Sequence, residues 1–266
     1  MESEARAFVF GMLGVTAVLA LLMVLIYGAE IGNVLYALAE RSPLLLTGDS
    51  TFPAFGGGFS ANVVISLWAM LIASAGGTLL CIGMISTSRP LRFVSEVVMN
   101  VLRNSPWLVV LYAMLYLLPF EVDIFGRTFF LSPLIKAIVG LSLPVAANMA
   151  EVFRGGVDAI PSGQWESARS LGYRRLQILR HVVIPQAIPL MTPNIMTTYA
   201  MLFIGTSLVV VTGTSDVLSV ARTVIASDGE HYATAIYLYI LFLFFLFCFP
   251  IAILSRWLER RVRARS

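Results

Sequence analysis

Apolar residues fill six stretches of the chain, near residues 8–28, 63–86, 97–118, 133–153, 193–212 and 235–254. Each is long enough to cross about 30 Å of hydrocarbon as a helix. Polar residues collect between them, so the pattern predicts an all-α, polytopic bundle of about six spans. Residues 30–60, 119–132 and 213–231 read as connecting loops, the first with Gly56-Gly57-Gly58 and several prolines. Pro144, with Ser142 beside it, predicts a kink in the fourth span. No internal repeat and no soluble domain is legible.

The polar island between the fourth and fifth stretches has a pattern of its own. Ile160-Pro161-Ser162-Gly163 breaks a preceding helix and offers Ser162 or Gly163 as a cap. Glu166 is then expected in the first turn, where a carboxylate suits the helix N-terminus, and Gly172 can close the helix. From Tyr173 to Ile184 a second helical stretch puts Leu176, Leu179 and Val183 on one face and leaves Arg174, Arg175 and Arg180 polar, until Pro185 and Pro189 interrupt it. The small residues Ser167 and Ala168 would let the first helix seat close to a partner surface. The alternative is an amphipathic loop whose arginines meet lipid phosphates.

Composition agrees with a membrane protein. Of 266 residues 58% are hydrophobic and 12% charged, and the mean hydropathy is +0.86, whereas soluble domains carry about 25% charged residues. The net charge of +3 is spread over segment ends and forms no continuous basic surface, so it argues for topology and against nucleic-acid binding. Arg89, Arg92, the group from Arg154 to Arg180 and the tail from Arg256 to Arg265 fall on one side of six spans. Arg41, Arg127, Lys136 and Arg222 fall on the other. The positive-inside rule then places both termini and the polar island in the cytoplasm and the three loops outside. Glu2 and Glu4 outweigh Arg6 ahead of the first stretch, and Ala37-Leu38-Ala39 lies well beyond it, so an uncleaved first span is expected rather than a signal peptide.

Candidate chemistry is sparse. Cys81 and Cys248 sit in apolar runs as packing residues, and His181 and His231 are predicted on opposite sides of the membrane, so no metal or catalytic cluster is legible. Lys136 is the only lysine, flanked by Ile135 and Ala137, which excludes a Gly-Lys-Ser/Thr phosphate loop. If ATP drives this protein, another chain must bind it.

The core of the island is Glu166-Ser167-Ala168, then Gly172, then Val182, Ile184 and Pro185. It resembles the EAA motif of the membrane subunits of bacterial ATP-binding-cassette importers. Arg103-Asn-Ser-Pro-Trp-Leu-Val-Val-Leu-Tyr112 and Thr206-Ser207-Leu208 resemble two further segments of the polar amino-acid subfamily, in the same order around the motif. The resemblance covers about residues 61–260. It implies a type I importer fold and a coupling helix that docks on a separate ATPase through Gly163, Glu166, Ser167, Ala168, Gly172, Val182, Ile184 and Pro185. It also implies two cytoplasmic ATPase subunits carrying ATP-Mg, a second permease subunit and a periplasmic substrate-binding protein, all at the bacterial inner membrane. This chain itself would hold no cofactor and would not be an enzyme. Ile204 and Gly205 stand where the subfamily has Lys-Asp, and Ser167 replaces the middle Ala of the motif. The missing charges favour the less substrate-engaged half of a heterodimer, although a homodimer stays open. Thr206 to Ala226 loosely resembles the glutamate/aspartate branch.

The expected organisation is a first helix and outer loop at 1–60, the permease core at 61–260 with a coupling loop at 154–189, and a basic tail at 261–266. Candidates for the translocation path are Arg103, Asn104, Tyr112, Glu151, Tyr199, Thr206 and Ser207. Asn148, Glu151 and Arg154 stack on one helix face, which either gates the path or anchors it through static pairs between Glu151 and Arg154 or Arg103. Tyr112, Tyr116, Tyr199, Thr206 and Ser207 offer hydroxyls that serve either a substrate or helix packing. The rival functions are a standalone secondary transporter or channel for small polar solutes, a membrane enzyme and a bare structural subunit.

Overall fold

The computed structural model describes residues 2–48, 56–124 and 126–263. The remainder of the predicted 30–60 loop and the last residues of the basic tail lie outside the described residues. The chain opens with α1 (Glu2–Tyr27), a 3-10 turn (Gly28–Glu30) and α2 (Ile31–Thr47), followed by α3 (Gly58–Met84), α4 (Arg89–Asn104) and α5 (Trp107–Leu117). A hairpin of β1 (Glu121–Ile124) and β2 (Arg127–Phe130) leads to α6 (Pro133–Asp158). Then come α7 (Ser162–Ser170), α8 (Arg175–Ile178), a π-helical turn (Leu179–Val183) and α9 (Ile184–Gly205). A 3-10 segment (Thr206–Thr212), α10 (Val217–Asp228) and α11 (Ala233–Arg263) complete the order.

Five helical segments are long and apolar enough to cross a membrane, or six if α4 and α5 count as one broken span, in agreement with the hydropathy pattern. α6 is the axis of the bundle. In its most apolar window 67% of residues are buried, against 6% for that of the segment Phe8–Thr47, so α6 is surrounded by protein and the N-terminal segment is largely exposed. Ala69 and Ala73 of α3, Leu111 of α5, Leu141, Val145 and Met149 of α6 and Leu202 of α9 share one core. Small residues let α3 approach α6: a Cβ on Gly77 would lie 2.6 Å from Met149 Cβ and 2.8 Å from the Ala146 carbonyl oxygen.

Three expectations need correction. The third span is not one helix. α4 and α5 meet at 105°, because Pro106 has no N–H and holds Ser105 extended at ψ 135°. By contrast, α6 runs unbroken through Pro144. Among the described residues, the loops read at 30–60 and 213–231 are largely helical. Val34 and Leu45 of α2 and Val217, Ala221 and Val224 of α10 bury one helical stripe each, and Arg41 of α2 makes two 2.8 Å hydrogen bonds to Asp228 of α10. These bonds hold the Asp228 carboxyl below its ordinary pKa. Finally, Pro185 and Pro189 do not end the second helix of the polar island. The π-turn, closed by the Ile184 N–H on the Leu179 carbonyl, carries the chain straight into α9.

Two buried polar groups, neither expected from the sequence, hold the bundle in register. Asn62 of α3 donates through Nδ2 to Thr206 Oγ1 at 3.1 Å and accepts the Val217 N–H at 3.1 Å. Asp216 caps α10, accepting from the N–H groups of Leu218 and Ser219. Burial pushes the Asp216 carboxyl up, against the opposing pull of its hydrogen bonds from Ser219 and Leu218. A raised carboxyl pKa costs stability as pH rises from the unfolded value through the folded one. Asp216→Asn, which keeps an acceptor, is therefore expected to flatten the pH dependence of thermal unfolding. Asp216→Ala should cost about 1–2 kcal/mol through the lost cap.

Candidate functional site

Pro161, extended at ψ 141°, separates α6 from α7. α7 begins at Ser162 with no side-chain cap, so Glu166 is its fifth residue and not part of the first turn as the sequence suggests. The helix ends in a Schellman arrangement. Gly172 adopts φ +84°, its N–H bonds the Arg169 carbonyl at 2.9 Å, and the Tyr173 N–H bonds the Ala168 carbonyl at 3.2 Å. Gly172 fulfils its expected role because only glycine enters this backbone region without strain. In α8 the Gln177 side chain accepts the Arg174 N–H at 2.8 Å.

The segment has a buried underside and an exposed outer face. Val157, Ile160, Ala168, Ile178, Val183, Ala187 and Met191 form one apolar cluster that fastens α7 and α8 to α6 and α9. Ala168 therefore faces the chain's own core, which corrects its expected placement against a partner, whereas Ser167 is exposed beside Glu166 and Gly163. Leu176 was expected on the inner face but is 76% exposed, and Ile178 takes that place at 1%. α8 is a single turn, Arg175–Ile178, and the π-helical turn Leu179–Val183 that follows replaces the regular α-helical spacing on which the expected face rested. Leu171, 78% exposed, joins Leu176 among charged neighbours. Further on, Val182 is half-buried and Ile184 and Pro185 are exposed. Bare leucines ringed by charge make a surface suited to a protein partner.

An ion-pair cluster lies where α6 leaves the core. Arg154 binds Glu151 through both Nη2–Oε1 at 2.7 Å and Nε–Oε2 at 3.3 Å, and approaches Asp158 at 3.5 Å. Arg103, at the end of α4, reaches the same Glu151 oxygen at 3.8 Å. Beside them a cavity of about 340 Å³ opens between α6 and α9, lined by Glu151, Gly155, Leu190 and Asn194.

The other path candidates are dispersed. Asn104 sits at the α4–α5 knee, its side chain donating to the Asn100 carbonyl. Tyr112 stacks on Tyr116 on the exposed face of α5. The Tyr199 hydroxyl is 3.2 Å from Ser66 Oγ, Thr206 is fully buried against Asn62, and Ser207 bonds the Ile204 carbonyl. Tyr199 and Thr206 thus have packing partners within the chain. The four charged groups of the ion cluster, Arg103, Glu151, Arg154 and Asp158, are brought together near the end of α6 that leads into the coupling segment, while the hydroxyls are not brought together.

Lys136 was not singled out as a site residue and is the most unusual side chain in the fold. It is fully buried, its Nζ donates to the carbonyls of Leu118 at 2.7 Å and Leu115 at 3.1 Å, and it lies 3.3 Å from the centre of the Phe120 ring. A cation thus caps the C-terminus of α5 and ties it to α6. A lone lysine within an apolar stretch was the available signal.

Glu151 pairs within one helix and with the end of α4, the static pairs on which the anchoring alternative rests. Glu151→Gln is accordingly expected to leave ATP-driven uptake within about threefold of the native level, as part-exposed pairs contribute little. A loss beyond tenfold would instead make this face a gate.

Residues 71–264 match the family described as the inner membrane component of binding-protein-dependent transport systems. Among similar proteins, the inner membrane amino-acid ABC transporter permease protein YhdY of Escherichia coli is 33% identical over 77% of this chain and 55% of its own length. The glutamate/glutamine/aspartate/asparagine transport system permease protein BztC of Rhodobacter capsulatus is 32% identical over 78% and 48%. This chain thus spans about half the length of these two relatives. It covers 91% of the glutamate/aspartate import permease protein GltK of Escherichia coli, at 30% identity over 77% of this chain. The crystal structure of an amino acid ABC transporter with histidines shares the fold, with a TM-score of 0.70 at 23% identity, over 85% of this chain and 97% of that one. Motif, bundle and relatives converge: the chain is a multi-pass membrane protein and belongs to the family of inner membrane components of binding-protein-dependent transport systems.

Proposed function

We propose that this chain is the permease subunit of an ATP-driven importer for a polar amino acid, forming half of the translocation pathway. The observation that carries this reading is the polar segment after α6. Its apolar underside is locked to α6 and α9, while Glu166, Ser167, Leu171 and Leu176 remain open to a partner. A push on such a segment moves the bundle's central helix. Docking would involve Gly163, Glu166, Ser167, Gly172, Val182, Ile184 and Pro185, with Ala168 and Gly172 shaping the helix from within. ATP-Mg binds and is hydrolysed on two separate cytoplasmic ATPase subunits, a second and different permease subunit completes the pathway, and a periplasmic binding protein delivers the substrate.

Residues 61–260 make the permease core and residues 1–60 an added outer element, with both termini and the basic tail at 261–266 in the cytoplasm. The Arg103, Asn104 and Glu151 region lies at the inner end of the path. Relatives named for glutamate, aspartate and their amides support an amino-acid substrate with a polar side chain.

Uptake of labelled amino acids into proteoliposomes, with each subunit omitted in turn, tests the reading. Uptake is expected only with the ATPase and ATP present. Uptake by this chain alone, driven by an ion gradient, would establish the secondary-transporter alternative instead.

A further inference from the structure

A cavity of about 480 Å³ separates the coupling segment from the end of α3 and the start of α4, lined by Arg92, Glu96, Arg154, Asp158, Trp165 and Arg175. The two banks of this cavity both pack on α6, but through different apolar clusters. On one bank the apolar cluster through Ala168 and Ile178 joins the coupling segment to α6 and α9. On the other, Met84 of α3 and Met99 of α4 pack with Ala147 and Ala150 of α6. No residue is common to both clusters.

One side chain bridges the gap. Arg175 Nη2 donates to the Ile85 carbonyl oxygen at 2.7 Å, across 90 residues of sequence. Ile85 is the C-cap of α3. Among the described residues this is the one hydrogen bond between residues 159–183 and α3, α4 or the turn joining them. A guanidinium on a helix C-terminal carbonyl is charge-assisted and favoured by the helix dipole.

The receiving end is stiff. The turn from Ile85 to Ser88 is short, and Gly83 approaches Ser95 too closely for any Cβ, so α3 and α4 move together at this corner. α4 then runs to Arg103, which reaches Glu151, and to the knee at Ser105-Pro106. A displacement delivered at Ile85 therefore arrives at the broken span.

We propose that Arg175 is a positioning residue, the strut by which displacement of the coupling segment reaches the α3–α4 corner and the α4–α5 knee. The inference rests on the importer reading above. Apolar packing carries the stroke to α6 and α9 and, through α6, to α3 and α4. Arg175 adds a direct link from the coupling segment to the α3–α4 corner. Without the strut the ATPase still docks and turns over, but the α3–α4 corner follows only through its packing on α6, so less of each stroke reaches the knee.

The test reconstitutes the chain with its cognate second permease, ATPase and binding protein, and reads uptake and ATP hydrolysis in the same liposomes. With Arg175→Gln, the ATPase should copurify normally and hydrolysis should continue, while substrate moved per ATP falls about tenfold, the scale of one charge-assisted hydrogen bond. Arg175→Lys, which keeps a cationic donor, should restore most of the ratio. An unchanged ratio in the Gln variant overturns the strut. Loss of the ATPase from the complex with uptake and hydrolysis falling in parallel overturns it too, by making Arg175 a docking contact. If the Gln variant fails to fold, a Lys variant that assembles yet transports at a tenth of the native ratio or less overturns it as well. A native complex without ATP-dependent uptake refutes the importer reading itself, which keeps the two failures apart.

Discussion

Gly77→Leu is expected to prevent accumulation of folded protein. A Cβ at this position would stand 2.6 Å from Met149 Cβ, 2.8 Å from the Ala146 carbonyl oxygen and 3.0 Å from the Ala150 nitrogen. Two of those atoms belong to the backbone of α6, and no rotamer change moves them away. The helices must separate instead, and with them the core through Ala73, Val145 and Met149. Overpacking of this kind costs about 3 kcal/mol or more, which exceeds what a marginally stable bundle tolerates. Gly14 of α1 has nothing within 4 Å of a built Cβ, so Gly14→Leu should accumulate normally. Size-exclusion profiles of the two variants in detergent make the comparison. A monodisperse, native-like peak for Gly77→Leu would show that the α3–α6 approach is looser than described.

The second large effect belongs to Lys136. In Lys136→Ala the carbonyls of Leu115 and Leu118 lose their donor, and a cavity opens beneath Phe120. Orphaned buried carbonyls and a void together should cost about 3 kcal/mol or more. Lys136→Met fills the void but leaves the carbonyls unpaired, so it should fall between Ala and the native residue. The buried amine also gives a direct readout. Because Lys136 is the only lysine and is fully buried, an amine-reactive reagent should leave its side chain unmodified in the folded protein and label it after denaturation. Rapid labelling of folded protein would mean that the α5 terminus opens readily.

Much of this fold was legible because hydropathy and helix length are one signal in a membrane. Five of the six stretches, the Gly172 closure and the break at Pro161 follow from local chemistry and are found in the structure. α2 and α10 were missed because their apolar stripes are narrow and sit between turn-rich stretches. Yet Asp216 ahead of Val217, Ala221 and Val224 was a readable cap followed by a helical stripe. The sharp bend at Ser105-Pro106 was hidden inside a continuous apolar run, where composition says span and only the proline says break. Leu176 left its expected face because α8 is one turn followed by a π-helical turn, which the α-helical spacing does not foresee. Ala168 is buried because α7 folds back onto Ile178 and Val183, a tertiary contact without a local signature. The buried pairings of Asn62 with Thr206 and of Lys136 with Leu118 cross from one span to another, and no local pattern announces such partners.

Substrate-stimulated ATP hydrolysis in proteoliposomes, comparing the native chain with Glu166→Lys alongside the same partner subunits, tests the central claim most directly. Glu166 is exposed on α7 and takes no part in the apolar cluster beneath it, so the variant should insert and fold. The account predicts that hydrolysis responds to substrate in the native complex and loses that response in the variant. Assembly and full stimulation in the variant would contradict the coupling role of this segment.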